Sequence, residues 1–368
     1  MDVTLFLSGD VMLGRGIDQL LPHPGLPHLH EPYVRSALGY VELAEAKAGP
    51  LPRPVDFGYV WGDALEELRE RAPQARIVNL ETAVTVAEDA CPGKGIHYRM
   101  HPRNVPSLAA AGIDCCVLAN NHVLDWGQSG LAETLDTLHA AGLRTAGAGS
   151  DADRAAAPAV IEWAAGGRVL VFSCAMQSSG VPPDWAAGPA RPGVNLFADL
   201  SRRSCDAIAR QVAAARRPGD RVVVSIHWGG NWGYEVSSEE RAFAHRLIDA
   251  GAADVLHGHS SHHPRGLEIY RERLILYGCG DFINDYEGIG GHQSYRPELC
   301  LMYFASLDAA DGTVRQLALA PMRVRRFRLQ RATEEEAGWL QRTLDRESRA
   351  FGTRVELASM RELRATSS

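Results

Sequence analysis

The sequence has no excess of positive charge, no paired-cysteine pattern and no long apolar run. Its 38 Lys and Arg residues are outnumbered by 45 Asp and Glu residues, and the formal net charge of -7 argues against a nucleic-acid partner. The seven cysteines form no C-x-x-C pair and their number is odd, so no disulfide framework is indicated. No segment approaches the roughly 20 apolar residues of a membrane helix. We therefore predict no DNA, RNA or membrane partner.

The first residues lack the basic region, apolar core and small-residue cleavage site of a secretion signal. They are typical of a β-strand that begins within the first few residues. We therefore predict a cytoplasmic protein. Hydrophobic residues make up 45% of the chain and charged residues 23%, which is ordinary for a globular protein with a large core.

Strand-like and helix-like segments alternate along most of the chain, which predicts a layered α/β fold. The β-type runs lie at 3–8, 75–80, 113–119, 168–174, 221–226 and 253–256. The amphipathic helices lie at 61–71, 129–141, 201–216 and 237–250. Four closely spaced runs between 267 and 321 indicate antiparallel pairing.

The change from strand-like segments to a helix-like tail near residue 330 predicts the domain organisation. We expect one domain over residues 1–330 and a helical extension over 331–368, packed onto it through Leu340 and Leu344. Segments 22–54 and 177–192 are rich in Pro and Gly and are expected to be long loops, which often wall a substrate site.

Five polar clusters each follow a β-type run. They are Gly9-Asp10, Asn79-Leu80-Glu81, Asn120-Asn121-His122 with Asp125, His227-Trp228-Gly229, and the four-histidine run 257–263. A single Asp at a strand end is more often a cap or turn residue. Five clusters, each at the end of a β-type run, instead favour convergence at one edge of a sheet. Their carboxylate, amide and imidazole groups are ligands of divalent cations.

In this order the motifs resemble those of the CapA family, the poly-γ-glutamate capsule synthesis relatives of the calcineurin-like metallophosphatases. The matching segments are 8–15, 79–82, 118–127, 227–229, 258–262 and 276–282. The resemblance implies a four-layer α/β sandwich in which helices flank two mixed β-sheets. It also implies a metal site, whose residues would be Asp10, Glu81, Asn121, His227, His259 and His262. His122, supported by Asp125, would be the general acid or base.

The sequence departs from the phosphatase pattern at three places. Met12 replaces the His of the phosphatase Asp-x-His motif, and Glu81 replaces a bridging Asp. The last two histidines, His259 and His262, are three positions apart instead of two. We therefore expect one or two divalent ions, with Ca²⁺ or Mn²⁺ favoured.

Three functions remain open. Without a membrane anchor the chain resembles the soluble epimerase of lasso-peptide precursors, so the first hypothesis is a metal-dependent epimerase that inverts the α-carbon of the C-terminal residue of a ribosomal precursor peptide. His122 with Asp125 would serve one face. The residues considered for the other face are His259, His262 or His292, with Asp10 or Asp285. The alternatives are a metallohydrolase acting on a phosphoester or a poly-γ-glutamate amide, and a non-catalytic scaffold in capsule polymer synthesis or export.

Three further residues are predicted to bind substrate. Arg15 and Arg99 are candidates for holding a substrate carboxylate, and Trp232 for walling the pocket.

Overall fold

The computed structural model of the protein describes residues 2–163 and 166–367. Its strands are β1 (Asp2–Val11), β2 (Ala75–Leu80), β3 (Ala83–Val84), β4 (Arg99–Met100), β5 (Cys115–Val117), β6 (Arg144–Ala146), β7 (Ala148–Gly149), β8 (Ala159–Glu162), β9 (Arg168–Met176), β10 (Gly193–Val194), β11 (Leu196–Phe197), β12 (Arg221–His227), β13 (Val255–His259), β14 (Leu267–Tyr270), β15 (Arg273–Leu276), β16 (Asp281–Ile283), β17 (Leu299–Asp308), β18 (Val314–Val324), β19 (Leu329–Arg331), β20 (Thr353–Ser359) and β21 (Glu362–Ser367). Its α-helices are α1 (Arg15–Asp18), α2 (Leu38–Ala48), α3 (Ala64–Arg71), α4 (Pro106–Ala110), α5 (Gly127–Ala140), α6 (Ala152–Ala156), α7 (Arg202–Ala215), α8 (Ser238–Asp249) and α9 (Glu334–Ser348).

Two large mixed sheets form the body of the fold. The first has the order β20-β21-β18-β17-β1-β2-β5-β6, with β16 beside β1 and β19 beside β18. The second has the order β11-β9-β12-β13-β15-β14, with β8 beside β9. In each sheet the central strands pair in parallel and other strands pair antiparallel, for example β1 with β2 and with β17.

Three layers of buried apolar side chains separate four layers of backbone. Alternate residues of β1, such as Leu5 and Leu7, join residues of the second sheet such as Val223 in a core between the sheets. Phe6, on the opposite face of β1, packs in a core with residues of α3 and α5. The outer face of the second sheet packs on α7 and α8. Helices therefore flank two sheets, which confirms the predicted four-layer sandwich.

Two local predictions were wrong. The segment 22–54, expected to be a loop, contains α2, whose short buried stripe of Tyr40, Val41 and Ala44 gives a weak periodic signal. The segment 331–368, expected to be helical, contains α9 and then the β20–β21 hairpin, which extends the first sheet beyond β18. Its strands bury few positions and carry many charged residues, as edge strands do. The division of the chain at residue 330 stays a prediction.

The predicted contact of α9 with the body is present, because Leu340 and Leu344 lie in the core between the sheets. Leu340 is 1% exposed, so Leu340→Ala is expected to lower the free energy of unfolding by about 2–5 kcal/mol. Leu357 on β20 is 45% exposed, and Leu357→Ala should change it by no more than about 0.5 kcal/mol. Urea unfolding followed by circular dichroism measures the free energy of unfolding of both variants. Equal losses in the two variants would contradict the placement of Leu340 in the core.

The sheet registers place the polar clusters side by side. At the end of β1, Asp10 pairs in register with Asn79 of β2 and with Asp281 of β16. In the second sheet His227, which ends β12, is opposite His259, which ends β13. The same ends of both sheets thus present carboxylates and imidazoles to one place. Within the described ranges, no helix combines the length and the apolar character needed to cross a membrane.

Candidate metal centre

Asp10 is the centre of the site. Its side chain is fully buried, and its Oδ1 accepts a hydrogen bond of 2.8 Å from Asn79 Nδ2. Its Oδ2 has no hydrogen-bond partner among the described residues. Asp10 belongs to two groups of potential metal ligands, one with His227 and His259 and one with His262 and Asp281, and in each group the ligand atoms lie within 4.8 Å of one another. One carboxylate is therefore shared by two candidate ion positions.

Glu81 and Asn121 complete the first group. Asn79, which binds Asp10, also donates to Glu81 Oε2 over 3.1 Å. The other carboxylate oxygen, Glu81 Oε1, lies 4.0 Å from His227 Nε2, and Asn121 Oδ1 lies 3.1 Å from the same nitrogen. The structure thus brings together all six residues that the resemblance implies for a metal site.

A chain of hydrogen bonds fixes the protons on the buried histidines. His257 Nε2 is 2.7 Å from the Ser8 carbonyl oxygen, which only accepts, so Nε2 carries the proton. His257 Nδ1 then accepts from the Ser225 hydroxyl over 3.1 Å, and the Ser225 oxygen accepts over 2.8 Å from His259 Nε2. His259 Nδ1 is left with a lone pair that faces His227 Nδ1, 2.7 Å away; without an ion it accepts the His227 proton, and a bound cation would take that proton's place. His227 Nε2 consequently holds a lone pair.

The lone pair of His227 Nε2 faces other acceptors. Asn121 Oδ1, Glu81 Oε1 and the unpartnered Asp10 Oδ2 all belong to the same cluster. Burial, helped by Asp281, raises the pKa of Asp10 to about 7, and burial together with Asp10 raises the pKa of Glu81 well above its usual value. Burial lowers the pKa values of His227 and His259 far below normal, so the histidines supply no positive charge. These residues fit a divalent cation, which would satisfy every acceptor at once.

The proton relay supports a prediction about Ser225. Ser225→Ala removes the hydroxyl between His257 and His259 and leaves two buried imidazole nitrogens without a partner. We expect the free energy of unfolding to fall by about 1–3 kcal/mol and metal binding to weaken. Thermal unfolding and metal titration measure these effects. Ser225→Cys, whose side chain is of similar size, should cause smaller losses of stability and metal affinity. Unchanged metal affinity in Ser225→Ala would contradict the proposed chain of hydrogen bonds.

His122 stands beside the cluster with its own partners. Its Nδ1 is 2.7 Å from Asp125 Oδ2, and its Nε2 is 3.9 Å from Glu81 Oε1. Lys94 contacts Asp125 and lies 3.1 Å from His122 Nδ1. Burial lowers the pKa of His122 to about 4 against the opposing effect of Asp125, so the ring is neutral. Nδ1 therefore donates to Asp125, and Nε2 faces the cluster as a base.

A second histidine–carboxylate pair lies on the other ligand group. His262 Nδ1 is 2.8 Å from Asp281 Oδ1, and Asn284 Nδ2 donates to Asp281 Oδ2 over 2.9 Å. Burial alone would lower the pKa of His262, but the Asp281 carboxylate raises it. The prediction from sequence names Asp10 or Asp285 as the carboxylate partner of the second histidine and does not include Asp281. Its position in the segment 276–282, directly after Gly280, was the available signal.

A cavity of about 420 Å³ opens onto this site at His262. Tyr33, Val34, Ile96 and Trp232 form much of its apolar wall. The predicted wall residue Trp232 thus lies in the cavity, with its ring centre 5.4 Å from that of His262.

Three predicted residues are placed differently from expectation. Arg15 borders the cavity, but its guanidinium is already bound by the carboxylates of Glu31 and Asp285, so it is not free for a substrate carboxylate. Arg99 lies over the Trp126 ring and donates to backbone carbonyls, outside the cavity lining. His292 is exposed and lines the cavity, where its ring stacks on Trp232 with the ring centres 3.8 Å apart, but it belongs to neither ligand group.

Known proteins share this sequence pattern. The family model described as "Bacterial capsule synthesis protein PGA_cap" matches residues 4–286. A probable polyglutamine synthesis accessory protein from Mycobacterium tuberculosis is 52% identical over 354 residues, which is 96% of this chain and 93% of the relative. The capsule biosynthesis protein CapA of Bacillus anthracis is 26% identical over 289 residues, which is 77% of this chain and 60% of that protein. A crystal structure described as a novel phosphatase from Mycoplasma pneumoniae overlaps with a TM-score of 0.45 at 12% identity, covering 87% of this chain and 93% of that one.

Proposed function

The chain belongs to the bacterial capsule synthesis protein family, and we propose that it is a metal-dependent hydrolase that cleaves an amide bond in a glutamate- or glutamine-based polymer. The observation that carries the proposal is the shared Asp10 carboxylate of two ligand groups, with the His122–Asp125 pair beside them. The histidines among the ligands favour Mn²⁺ over Ca²⁺, which prefers oxygen.

When bound, a divalent ion would polarise the scissile carbonyl and lower the pKa of a water molecule. Asp10, Glu81, Asn121, His227 and His259 would hold one ion, and Asp10, His262 and Asp281 a second.

Proton transfer would belong to His122. Its Nε2, free of a proton, would take one from the attacking water and return it to the leaving nitrogen. Asp125 keeps the ring in the required tautomer through its contact with Nδ1 and stabilises the imidazolium that forms.

The charges around the site favour an uncharged polymer segment as substrate. Two cations beside the ligand groups, Arg15 and Lys94, already face carboxylates. The cavity wall is largely apolar, and the whole chain carries a formal charge of -7. Apart from the bound ions, a polyanion would find few positive charges there. A polymer of amidated glutamate residues suits the cavity better, and its production is the role named for the Mycobacterium tuberculosis relative.

The test compares three substrates with the purified chain, stripped by chelator and reloaded with Mn²⁺. A glutamine oligomer, poly-γ-glutamate and p-nitrophenyl phosphate are incubated separately, and mass spectrometry and phosphate release give the products. We expect Mn²⁺-dependent shortening of the glutamine oligomer. Phosphate release without any shortening would refute amide hydrolysis in favour of a phosphoesterase.

A second candidate is epimerisation of a peptide α-carbon. The observation in its favour is the presence of two histidine–carboxylate pairs, His122–Asp125 and His262–Asp281, at the two candidate ion groups. Inversion needs a base on one face and an acid on the other, and His262, whose pKa is raised, has the opposite protonation tendency from His122. The substrate would be a ribosomal precursor peptide in the cytoplasm.

Isotope exchange separates the two candidates. An epimerase would incorporate one deuterium at an α-carbon of the peptide in D₂O without cleaving it. A hydrolase would give shortened chains that carry no α-deuterium.

A further inference from the structure

The segment 22–37, here called the wall loop, connects α1 to α2 and forms part of the cavity wall. Tyr33 and Val34 of this loop line the cavity, and Tyr33 is 70% exposed. Glu31, only two residues earlier, is completely buried at 0% exposure. A charged residue buried in a largely exposed or half-buried loop requires a strong partner, because an isolated buried carboxylate is costly.

The partner of Glu31 is Arg15, the first residue of α1. Arg15 Nη1 donates to Glu31 Oε1 over 3.0 Å and to the Tyr40 hydroxyl over 3.0 Å. Tyr40 in turn donates to Glu31 Oε2. The remaining edge of the guanidinium holds Asp285, with Nε donating to its Oδ2 over 3.1 Å. One cation thus joins the wall loop, α2 and the segment that follows β16.

Tyrosine rings enclose this cation. Its central carbon lies 3.9 Å from the ring centre of Tyr40, 4.3 Å from that of Tyr98 and 5.7 Å from that of Tyr286. Tyr98 also donates its hydroxyl hydrogen to Tyr286 over 2.9 Å. A buried cation against several aromatic faces is held firmly in place, which makes this group a rigid element.

The two tyrosines lead to the two histidine pairs. The Tyr98 ring meets His122 edge-on at 4.5 Å, and the Tyr98 backbone N–H donates to Asp125 Oδ2 over 2.6 Å. The Tyr286 ring meets His262 edge-on at 5.6 Å. Both histidines therefore rest on the ring pair that encloses Arg15.

We propose that Glu31 and Arg15 are positioning residues: their ion pair locks the wall loop against the cavity, and the enclosed Arg15 guanidinium holds His122 and His262 in their orientations toward the ligand groups. The loop and both histidines then respond to the same contact. This inference concerns geometry within the chain and holds whether the site performs hydrolysis or epimerisation.

The experiment uses the full chain with Glu31→Gln, which keeps the shape of the side chain but removes its charge. Hydrogen exchange measured by mass spectrometry reports opening of the wall loop, and ¹⁵N spectra of labelled histidine report the tautomers and environments of His122 and His262. Loss of a hydrogen bond to a charged group predicts roughly tenfold or greater acceleration of exchange in 22–37. We expect the signals of both histidines to shift as well.

Tyr40→Phe provides a milder variant that removes a single hydroxyl from the same network, should Glu31→Gln fold poorly. It should change the same observables in the same direction by a smaller amount. Glu42→Gln is the matched control, because Glu42 is exposed on α2 and should change neither observable.

Two results would overturn the proposal. Accelerated loop exchange with both histidine signals unmoved would make Glu31 a loop anchor without a positioning role. Unchanged exchange in a folded Glu31→Gln protein would show that the ion pair does not hold the loop. Neither measurement depends on turnover, so failure of the proposed enzyme activity would remain a separate finding.

Discussion

Asp10→Asn is expected to abolish turnover and to weaken Mn²⁺ binding by more than about 100-fold, because loss of a ligand exceeds the 10–100-fold cost of losing an outer partner. Asp10 is the carboxylate common to both ligand groups, so the variant should lose both ions. The metal-free variant should be at least as stable as the parent, since burial already raises the pKa of Asp10 to about 7 and an amide removes that unfavourable charge.

Asp281→Asn is the matched comparison for Asp10→Asn. Asp281 belongs only to the group with His262, so this variant should lose one ion and retain the ion bound by His227 and His259. Elemental analysis after dialysis against Mn²⁺ gives the stoichiometry, and thermal unfolding of the metal-free proteins gives the stability. An Asp10→Asn protein with the full metal content would show that Asp10 is not a shared ligand.

His122→Gln is expected to lower turnover by about 10²–10⁴-fold, the usual contribution of a general acid or base. Metal content should stay unchanged, because His122 lies outside both ligand groups. Asp125→Asn should lower turnover as well, since an amide no longer selects the tautomer with the proton on Nδ1.

The control for His122→Gln is His139→Gln, which alters an exposed histidine on α5 outside the cavity lining. Steady-state kinetics with the glutamine oligomer, together with metal analysis, distinguish a proton-transfer role from a ligand role. Loss of metal in the His122 variant, or full turnover without the imidazole, would contradict the assignment.

Local sequence was a good guide where a residue ends a strand. Asp10, His227 and His259 each lie at or near the end of a largely apolar β-type run, and such runs become central strands whose ends meet. The His122–Asp125 pair was equally accessible, because both residues lie on one short turn and their contact needs no long-range pairing.

Long-range pairing explains what the sequence did not reveal. Asp281 reaches Asp10 through the parallel pairing of β16 with β1, and a three-residue strand leaves almost no pattern in the sequence. Met12 is buried at 1% exposure with its sulfur 3.7 Å from the Tyr286 hydroxyl, a contact that no local rule foresees.

The charged and exposed candidates make contacts that differ from the expected ones for a related reason. A sequence shows that Arg15 is cationic but does not show that Glu31 and Asp285 neutralise it. His292 follows Gly290 and Gly291 in a loop, so nothing in the local pattern fixes the direction of its side chain. Its side chain lines the cavity, but the sequence alone does not show that it lies outside both ligand groups.

The pairing of β1 also determines when the protein can fold during translation. β1 leaves the ribosome long before its neighbours β16 and β17, which are synthesised only after residue 280. Until then the apolar residues of β1 lack half of their partners, and an unpaired strand edge of this kind invites association with other chains. We expect nascent chains that stop before residue 281 to depend on chaperones and to bind metal weakly, since the pairing with β16 and β17 that holds β1 and its Asp10 in place is still missing.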